Sequence, residues 1–579
     1  MALPIHRAEA RHLEQARRPW SVAKSPAALI LIGDLLLAVI LFSRTWIRPE
    51  TMLAGGSGDP QLFVWMFRWV PFALSHGLNP LISNYLDYPA GVNLMWTGDS
   101  PLLALLFSPV TILLSPVVAY NLAATLGPAL SAWCAFLVIR RYVDRWPAAA
   151  PGGLLYGFSP AMIAHASHLH VTFAVFTPLA WLLADEILVR RRWHPAFSGG
   201  LLGVLAGLQV LIGEETLLLT FIGGVVALAV MVAIQGRPSA WQLSAAWRAG
   251  SIASIVFALM AAAPLAEQFF GPQRLHGAIQ AQNFYVNDLL NFVVPSPLQL
   301  FSPAAIYWLS AHFTGDASSR DAYLGLPLLA WFAIQVRHRW GDRVIRWAAL
   351  VALILAVLSL GPALHVAGVV THIPLPWAVL QPLPLFENVL PGRFMLIALL
   401  PAGLLLARAL DVDLQAGRPL NSLIIPAIGM LLLIPNLQAA SAPPVPAFFQ
   451  GPTVQRLAPG SVVLVAPFSS LYSSDAMQWQ AAAGMRFRMP EGYMFVPGTL
   501  LGVPSSPLAR AMVEIEVHGT APTLTPALLS TMRQQLHDWR VGTVIAGPMP
   551  HANAMVALLT AVIGEPPEYQ GGVAVWWDR

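Results

Sequence analysis

Along most of the first 440 residues, apolar runs of about 17–23 residues alternate with short polar connections, and each run is long enough to cross a hydrocarbon layer of about 30 Å. The pattern predicts membrane helices near 25–46, 118–140, 148–165, 171–189, 196–213, 216–235, 249–270, 321–337, 346–368, 391–410 and 420–437. One further apolar run, 101–117, is interrupted by Pro101, Pro109 and Pro116. Proline removes an N–H from the helical ladder, and an unpaired backbone group is costly in lipid. That run is expected to be a broken or re-entrant element.

The positive charges orient these spans. If residues 1–24 lie in the cytoplasm, the cytoplasmic connections become Arg140–Arg145, Arg190–Arg192, Arg237–Arg248, Arg337–Arg346 and Arg408–Arg418, and each carries arginine, as the positive-inside rule requires. Counting 101–117 as a full span would move Arg140 and Arg141 to the other side and break the alternation. No convincing small-residue cleavage site follows the first apolar run, so residues 1–24 are read as a cytoplasmic tail before a retained first helix.

After residue 440 the pattern changes. Pro443, Pro444 and Pro446 make a linker, and then strand-like runs at 461–468, 541–547 and 571–577 alternate with helix-like stretches near 525–539 and 552–563. This predicts a small α/β domain over 441–579, on the extracytoplasmic side if about eleven helices precede it. No glycine-rich phosphate loop follows its strands, which argues against a nucleotide site there.

Composition agrees with a membrane protein: of 579 residues 56% are hydrophobic and 10% charged, against about 25% charged in soluble domains. The net charge of +4 comes from arginines clustered between apolar runs rather than from a basic nucleic-acid-binding face. The single cysteine, Cys134, excludes an intrachain disulfide and any cysteine metal cluster.

Candidate chemistry falls on the opposite side from the arginines. The first outer loop, 47–100, holds Gly58-Asp59-Pro60, an aromatic segment with Trp65, Phe67, Trp69 and Phe72, and then Asp87, YPAGVNLMW (88–96) and Asp99. An aromatic helix beside a first span can lie in the membrane interface, which puts Asp59 at head-group depth; the alternative is that Asp59 simply caps the following helix. His165, His168 and His170 crowd one turn and, with Glu214 or Glu215, could hold a divalent cation; they could equally be hydrogen-bonded turn residues. Glu214 and Glu215 at the mouth of a span could bind sugar hydroxyls or simply reach water. Arg393, in LPGRF (390–394), offers planar recognition of a phosphate, with Arg274 as the alternative; an arginine there could also be an interfacial anchor. In 479–498, Trp479, Arg486, Glu491, Arg488 and Tyr493 interleave in a way that suits a carbohydrate surface or a docking face.

On the cytoplasmic N-terminus, the long first outer loop with its acid, the span count, the outer C-terminal domain and the segments GDP (58–60), YPAGVNLMW and LPGRF, the chain resembles the GT-C superfamily of membrane glycosyltransferases. The resemblance implies transfer of a sugar from a polyprenyl-phosphate donor to a glycan, lipid or protein acceptor, with inversion, on the outer face of a bacterial cytoplasmic membrane. It implies Asp59 as catalytic base, with Asp87 and Asp99 in reserve; the residues themselves offer Asp87, Asp99, His168, Glu214, Glu215, Arg274, Arg393, Trp479, Arg486 and Arg488 as substrate-binding candidates. The paired Asp-Glu of some branches is absent from this loop, and Ser100-Pro101-Leu102 stands where others carry Lys-Pro-Pro-Leu. A divalent cation is the one candidate cofactor; membrane lipids are partners and nucleic acid is not. The rival reading is a transporter or lipid flippase of cell-envelope precursors, against which stand the lack of an internal repeat and the gathering of polar candidates on one side.

Overall fold

The computed structural model describes residues 26–579 except Ser57, Asp99, Asp321, Glu491, Thr499, Leu500, Ser505 and the last two, so the tail expected over 1–24 lies outside the described residues. The chain is mostly helical, and five helices are long and apolar enough to cross a membrane: Pro116–Tyr142, Leu169–Arg190, Glu214–Gln235, Ala240–Phe270 and Pro391–Gln415. Shorter apolar helices, Pro26–Leu41, Pro195–Val210 and Asn421–Leu432, lie where further spans were expected. It is a multi-pass membrane protein.

Small residues bring the helices together. Gly199, Gly203 and Gly207 form a stripe on Pro195–Val210, and a Cβ at Gly203 would sit 2.6 Å from the Ala253 carbonyl of Ala240–Phe270. Gly152 and Gly403 likewise face each other's backbone where Trp146–Gly157 packs on Phe394–Gln415. Such stripes allow close backbone approach, the main source of helix cohesion in lipid.

The 101–117 run breaks into two six-residue helices, Pro101–Leu106 and Ser108–Leu113, before the helix that starts at Pro116. Three other elements depart from the expected pattern, the first being the 148–165 run, which splits into Trp146–Gly157 and Pro160–Ala164 where Pro160 starts a new helix. The helix expected over 346–368 stops at Ser359, and the chain turns into an antiparallel hairpin, Ala363–Val366 with Val369–Pro374, because Gly361 (φ +81°) and Pro362 end the helix inside an unbroken apolar run. The end of the 171–189 run winds into a π-helical turn, Glu186–Arg190.

The arginine-bearing connections meet at one end of the bundle. Arg141 pairs with Asp185 and Glu186, the Asp144 and Arg145 N–H groups each donate to Asp411 at 3.1 Å, Arg339 pairs with Asp413, Arg408 with Asp342, and Gln242 donates to the Leu188 carbonyl. The loop carrying Asp59 lies at the opposite end.

Beyond residue 440 a four-stranded sheet runs in the order Val463–Ala466, Thr543–Ala546, Val573–Trp576, Glu568–Gln570, the first pair parallel and the others antiparallel. Leu53–Ala54 pairs antiparallel with Ala440–Ser441, which returns the chain to the start of the Asp59 loop. Helix Asp475–Ala482 then packs against helix Asp59–Ser75, and Trp65, Trp69, Phe448, Phe449 and Trp479 share one buried core.

Candidate active site

Gly58 (φ +91°) adopts a backbone conformation that glycine favours and turns the chain into helix Asp59–Ser75. Its N–H donates to Gln61 Oε1 at 3.1 Å, so Gln61 closes the helix start. The Asp59 carboxylate, in the first turn, is left for other partners. His168 Nε2 lies 2.7 Å from Asp59 Oδ2, and the Tyr493 hydroxyl donates to the same carboxylate. Burial pushes the Asp59 carboxyl up, but the His168 charge and the bonds from His168 and Tyr493 outweigh it, and its pKa falls below the usual aspartate value. Asp59 is therefore ionised at neutral pH. Burial, then the Asp59 charge, drives the Tyr493 hydroxyl upward, so it stays a donor.

Around this pair the histidine turn is fixed from behind. His165 is buried, and its Nδ1–H donates to the Ala161 carbonyl at 2.8 Å, which assigns the proton to Nδ1 and turns Nε2 into an acceptor. The rings of His165 and His168 stand 5.5 Å apart and those of His168 and His170 5.9 Å. His170 Nε2 receives Arg393 Nη1 at 3.4 Å. Arg393 is also ion-paired to Glu215, whose Oε1 accepts the Leu390 N–H at 2.8 Å. Asp316 reaches the site from the loop 271–320: its Oδ1 accepts from the Ser318 hydroxyl at 2.7 Å and from the Ser319 N–H and hydroxyl at 3.0 Å. Burial raises the Asp316 carboxyl, but the Ser318 bond, then the His168 charge, bring it below the ordinary range.

All these groups line one cavity of about 1670 Å³. From Asp59, His168, Glu214, Glu215, Asp316 and Arg393 it continues as an apolar cleft past Phe221, Val225, Leu228 and Met231 to Tyr142, Asp185 and Arg190 at the arginine-rich end. It follows helix Glu214–Gln235 from end to end, 22 residues, or about 33 Å at 1.5 Å per residue. Phe221, Val225 and Leu228 line it and are 66%, 52% and 45% exposed on a membrane helix, so the cleft opens sideways toward lipid. An ionised carboxylate held by two donors and a guanidinium paired to Glu215 thus line the same lipid-accessible cavity.

A family model described as a domain of unknown function, DUF6311, matches residues 31–439. The chain belongs to that family. No curated protein matches it. Among solved structures, this DUF6311 chain is similar to the oligosaccharyltransferase of Archaeoglobus fulgidus in complex with Zn and sulfate, at 14% identity over 93% of this chain and 70% of that one, with a TM-score of 0.49. It is similar to ArnT from Cupriavidus metallidurans bound to undecaprenyl phosphate, at 13% identity over 94% and 97% of the two chains and a TM-score of 0.47. A third is the arabinofuranosyltransferase AftD from Mycobacteria, at 14% identity over 95% of this chain and 41% of that one, with a TM-score of 0.48.

Of the residues singled out in the sequence, the fold gathers Asp59, His168, Glu214, Glu215 and Arg393 on the cavity wall. Others stand elsewhere. Asp87 sits in a turn at φ +51° with its carbonyl accepting the Gly91 N–H at 2.7 Å, and Arg274 is not on the cavity wall. Trp479 is fully buried, donates to the Pro444 carbonyl at 2.8 Å and stacks on Phe449, so its face is closed to a sugar. Arg486 donates to the Leu457 and Gln455 carbonyls, and Arg488 lies 5.4 Å from the rings of both Tyr85 and Tyr88; both bind the chain's C-terminal part together or to the first loop. Asp99 and Glu491 lie outside the described residues. Among the described residues no three His, Cys, Asp or Glu side chains converge to hold a metal ion, since His168 and Asp59 face each other rather than a common point. His170, weighed as a metal ligand, and Tyr493, weighed as part of a carbohydrate or docking face, also line the cavity, and Asp316 joins them without having been picked out as a site residue. Asp316 had a faint signal, an aspartate two and three residues before serines in GDASS (315–319), the spacing of a side-chain-stabilised turn.

Proposed function

We propose that this chain is a membrane glycosyltransferase that moves a sugar from a polyprenyl-phosphate donor to an acceptor hydroxyl, with inversion, at the outer face of a bacterial cytoplasmic membrane. The observation that carries the reading is the single cavity that joins Asp59 and Arg393 to a cleft open to lipid. The donor's prenyl tail lies in the apolar cleft and its phosphate meets Arg393, whose guanidinium has five N–H donors and is already oriented by Glu215. The acceptor hydroxyl approaches Asp59, which takes its proton as the oxygen attacks the anomeric carbon from the side opposite the phosphate. The bond from that carbon to the phosphate oxygen breaks, its electron pair leaves with the phosphate, and Arg393 stabilises the charge that develops. His168 and Tyr493 hold Asp59 in place through the two bonds they make to it. Glu214 and Asp316 also line the cavity and offer their carboxyl groups to sugar hydroxyls.

The far end of the cleft speaks against a flippase. There Asp185 accepts from Arg141 and Arg190 at 2.8 Å and from the Tyr142 hydroxyl at 2.9 Å, so the arginines that could meet a lipid phosphate are already paired to a carboxylate. The test is Asp59→Asn in proteoliposomes with a labelled polyprenyl-phosphate sugar: transfer is lost while donor binding remains. Unchanged transfer removes Asp59 as base, and movement of labelled lipid between leaflets without transfer favours the flippase.

A further inference from the structure

The polar half of the cavity is built by the membrane helices and their loops, whereas the chain beyond residue 440 brings something different. Among the described residues it contributes Leu471, Tyr493, Phe495, Leu501 and Val503 to the cavity wall, none of them charged, and the Tyr493 hydroxyl is already committed to Asp59. The Leu471 N–H donates to the Gly502 carbonyl at 3.3 Å, so the two loops that carry these residues are tied into one roof. Leu471 and Val503 line the cavity and are nonetheless 53% and 44% exposed. From two other segments Phe284 and Leu385 do the same, at 41% and 51%. Four large apolar side chains from three segments of the sequence thus line the cavity while remaining uncovered.

This chemistry selects among acceptors. A glycan or peptide drawn under such a roof would bury hydroxyls and amides without partners, at a cost of about 1–3 kcal/mol for each group. An alkyl chain would instead cover exposed apolar surface. The roof is also continuous, through the same cavity, with the lipid-exposed Phe221, Val225 and Leu228, so an occupant can arrive from the bilayer without crossing water.

We infer that the acceptor is a membrane-borne amphiphile, a lipid alcohol or glycolipid, whose apolar part lies against Leu471, Val503, Phe284 and Leu385 while its hydroxyl reaches Asp59. The inference rests on the transferase reading and narrows its acceptor from three classes to one.

Two probes separate the classes in the full-length protein reconstituted in phosphatidylethanolamine–phosphatidylglycerol vesicles: dodecyl β-glucoside with a diazirine in its alkyl chain, and maltoheptaose with the same diazirine. On illumination the alkyl probe labels the peptides that contain Leu471 and Val503. The paired substitutions Leu471→Glu and Val503→Glu reduce that labelling about tenfold, because a charge replaces the apolar contact, whereas Leu300→Glu, at an exposed leucine away from the cavity, leaves it unchanged. Labelling that survives the paired substitutions, or labelling of the roof by maltoheptaose that the alkyl probe does not displace, overturns the inference. Asp59→Asn keeps the two readings apart. If it retains transfer while the roof is still labelled, the base assignment fails and the amphiphile site stands. If it abolishes transfer while the roof takes no alkyl probe, the acceptor inference fails alone.

Discussion

The two ends of the long cavity hold the same kinds of residue and use them differently. At the arginine-rich end Asp185 meets Arg141, Arg190 and the Tyr142 hydroxyl, and Asp411 accepts two backbone N–H groups and the Gln415 amide beside Arg408. Both oxygens of each of these carboxylates have partners, and the cluster joins connections that are far apart in sequence. At the other end Asp59 and Arg393 each have partners, but both face open cavity and keep unused capacity. Satisfied buried charge builds structure; partly satisfied charge facing a cavity is available to a ligand.

The largest effect expected from this contrast is on Asp59. Asp59→Asn removes the base and lowers turnover about 10³-fold, in the range general-base catalysis supplies, while the protein stays folded with only a small fall in unfolding temperature. Asp185→Asn reverses the pattern. It leaves two arginines without their shared anion and costs about 3 kcal/mol of stability, read as a lower thermal midpoint in detergent, while the substrate affinity of the protein that remains folded is unchanged. Should Asp185→Asn instead alter donor affinity at full stability, the distinction between the two ends collapses.

Arg393→Lys follows in size. Lysine keeps the charge but loses the planar fork, and binding of polyprenyl phosphate to reconstituted protein weakens about tenfold. An equal loss for an uncharged prenyl alcohol would show that Arg393 shapes the cleft rather than meeting phosphate.

How far the sequence discloses this contrast depends on how local each signal is. The spans, their arginine alternation and Asp59 are readable because length, charge and a Gly-Asp-Pro turn each act within a few residues. Glu214, Glu215 and Arg393 are readable because ionisable groups at the mouth of an apolar run stand out. The hairpin 363–374 is hidden because its strands continue the apolar run of the preceding helix, and only Gly361-Pro362 marks the break. Helix Asp475–Ala482 is hidden because its mixed pattern answers a tertiary partner: Gln61 Nε2 reaches Asp475 and Gln478 across more than 400 residues. Tyr493 and Asp316 are brought to the site by such long-range packing. Trp479 misleads for the same reason, since an aromatic among arginines looks like a sugar platform until the fold buries it under Phe449.

One acid tests whether incomplete satisfaction alone marks function. Glu516 is buried in helix Pro507–His518, and its Oε2 has no hydrogen-bond partner, yet it is not on the cavity wall. Burial, then the nearby Asp475 charge, pushes its carboxyl up to about 7. A carboxyl raised in this way binds its proton more tightly in the folded chain than in the unfolded one. Its protonated form favours folding at low pH, and that advantage is lost as pH rises from the unfolded value of 4.5 through the folded value of about 7. Glu516→Gln removes the ionisable group while keeping the shape. It should leave stability nearly unchanged near pH 4.5 and raise it by about 3 kcal/mol at pH 8, with transfer unaffected at either pH. Thermal unfolding at the two pH values measures the first part and a transfer assay the second. If transfer falls with Glu516→Gln, an unsatisfied acid matters even away from the cavity, and the difference between the two ends lies in satisfaction alone. If only the alkaline stability rises, the cavity is the deciding feature, because Glu516 shares the unsatisfied oxygen but has no space before it in which a substrate could stand.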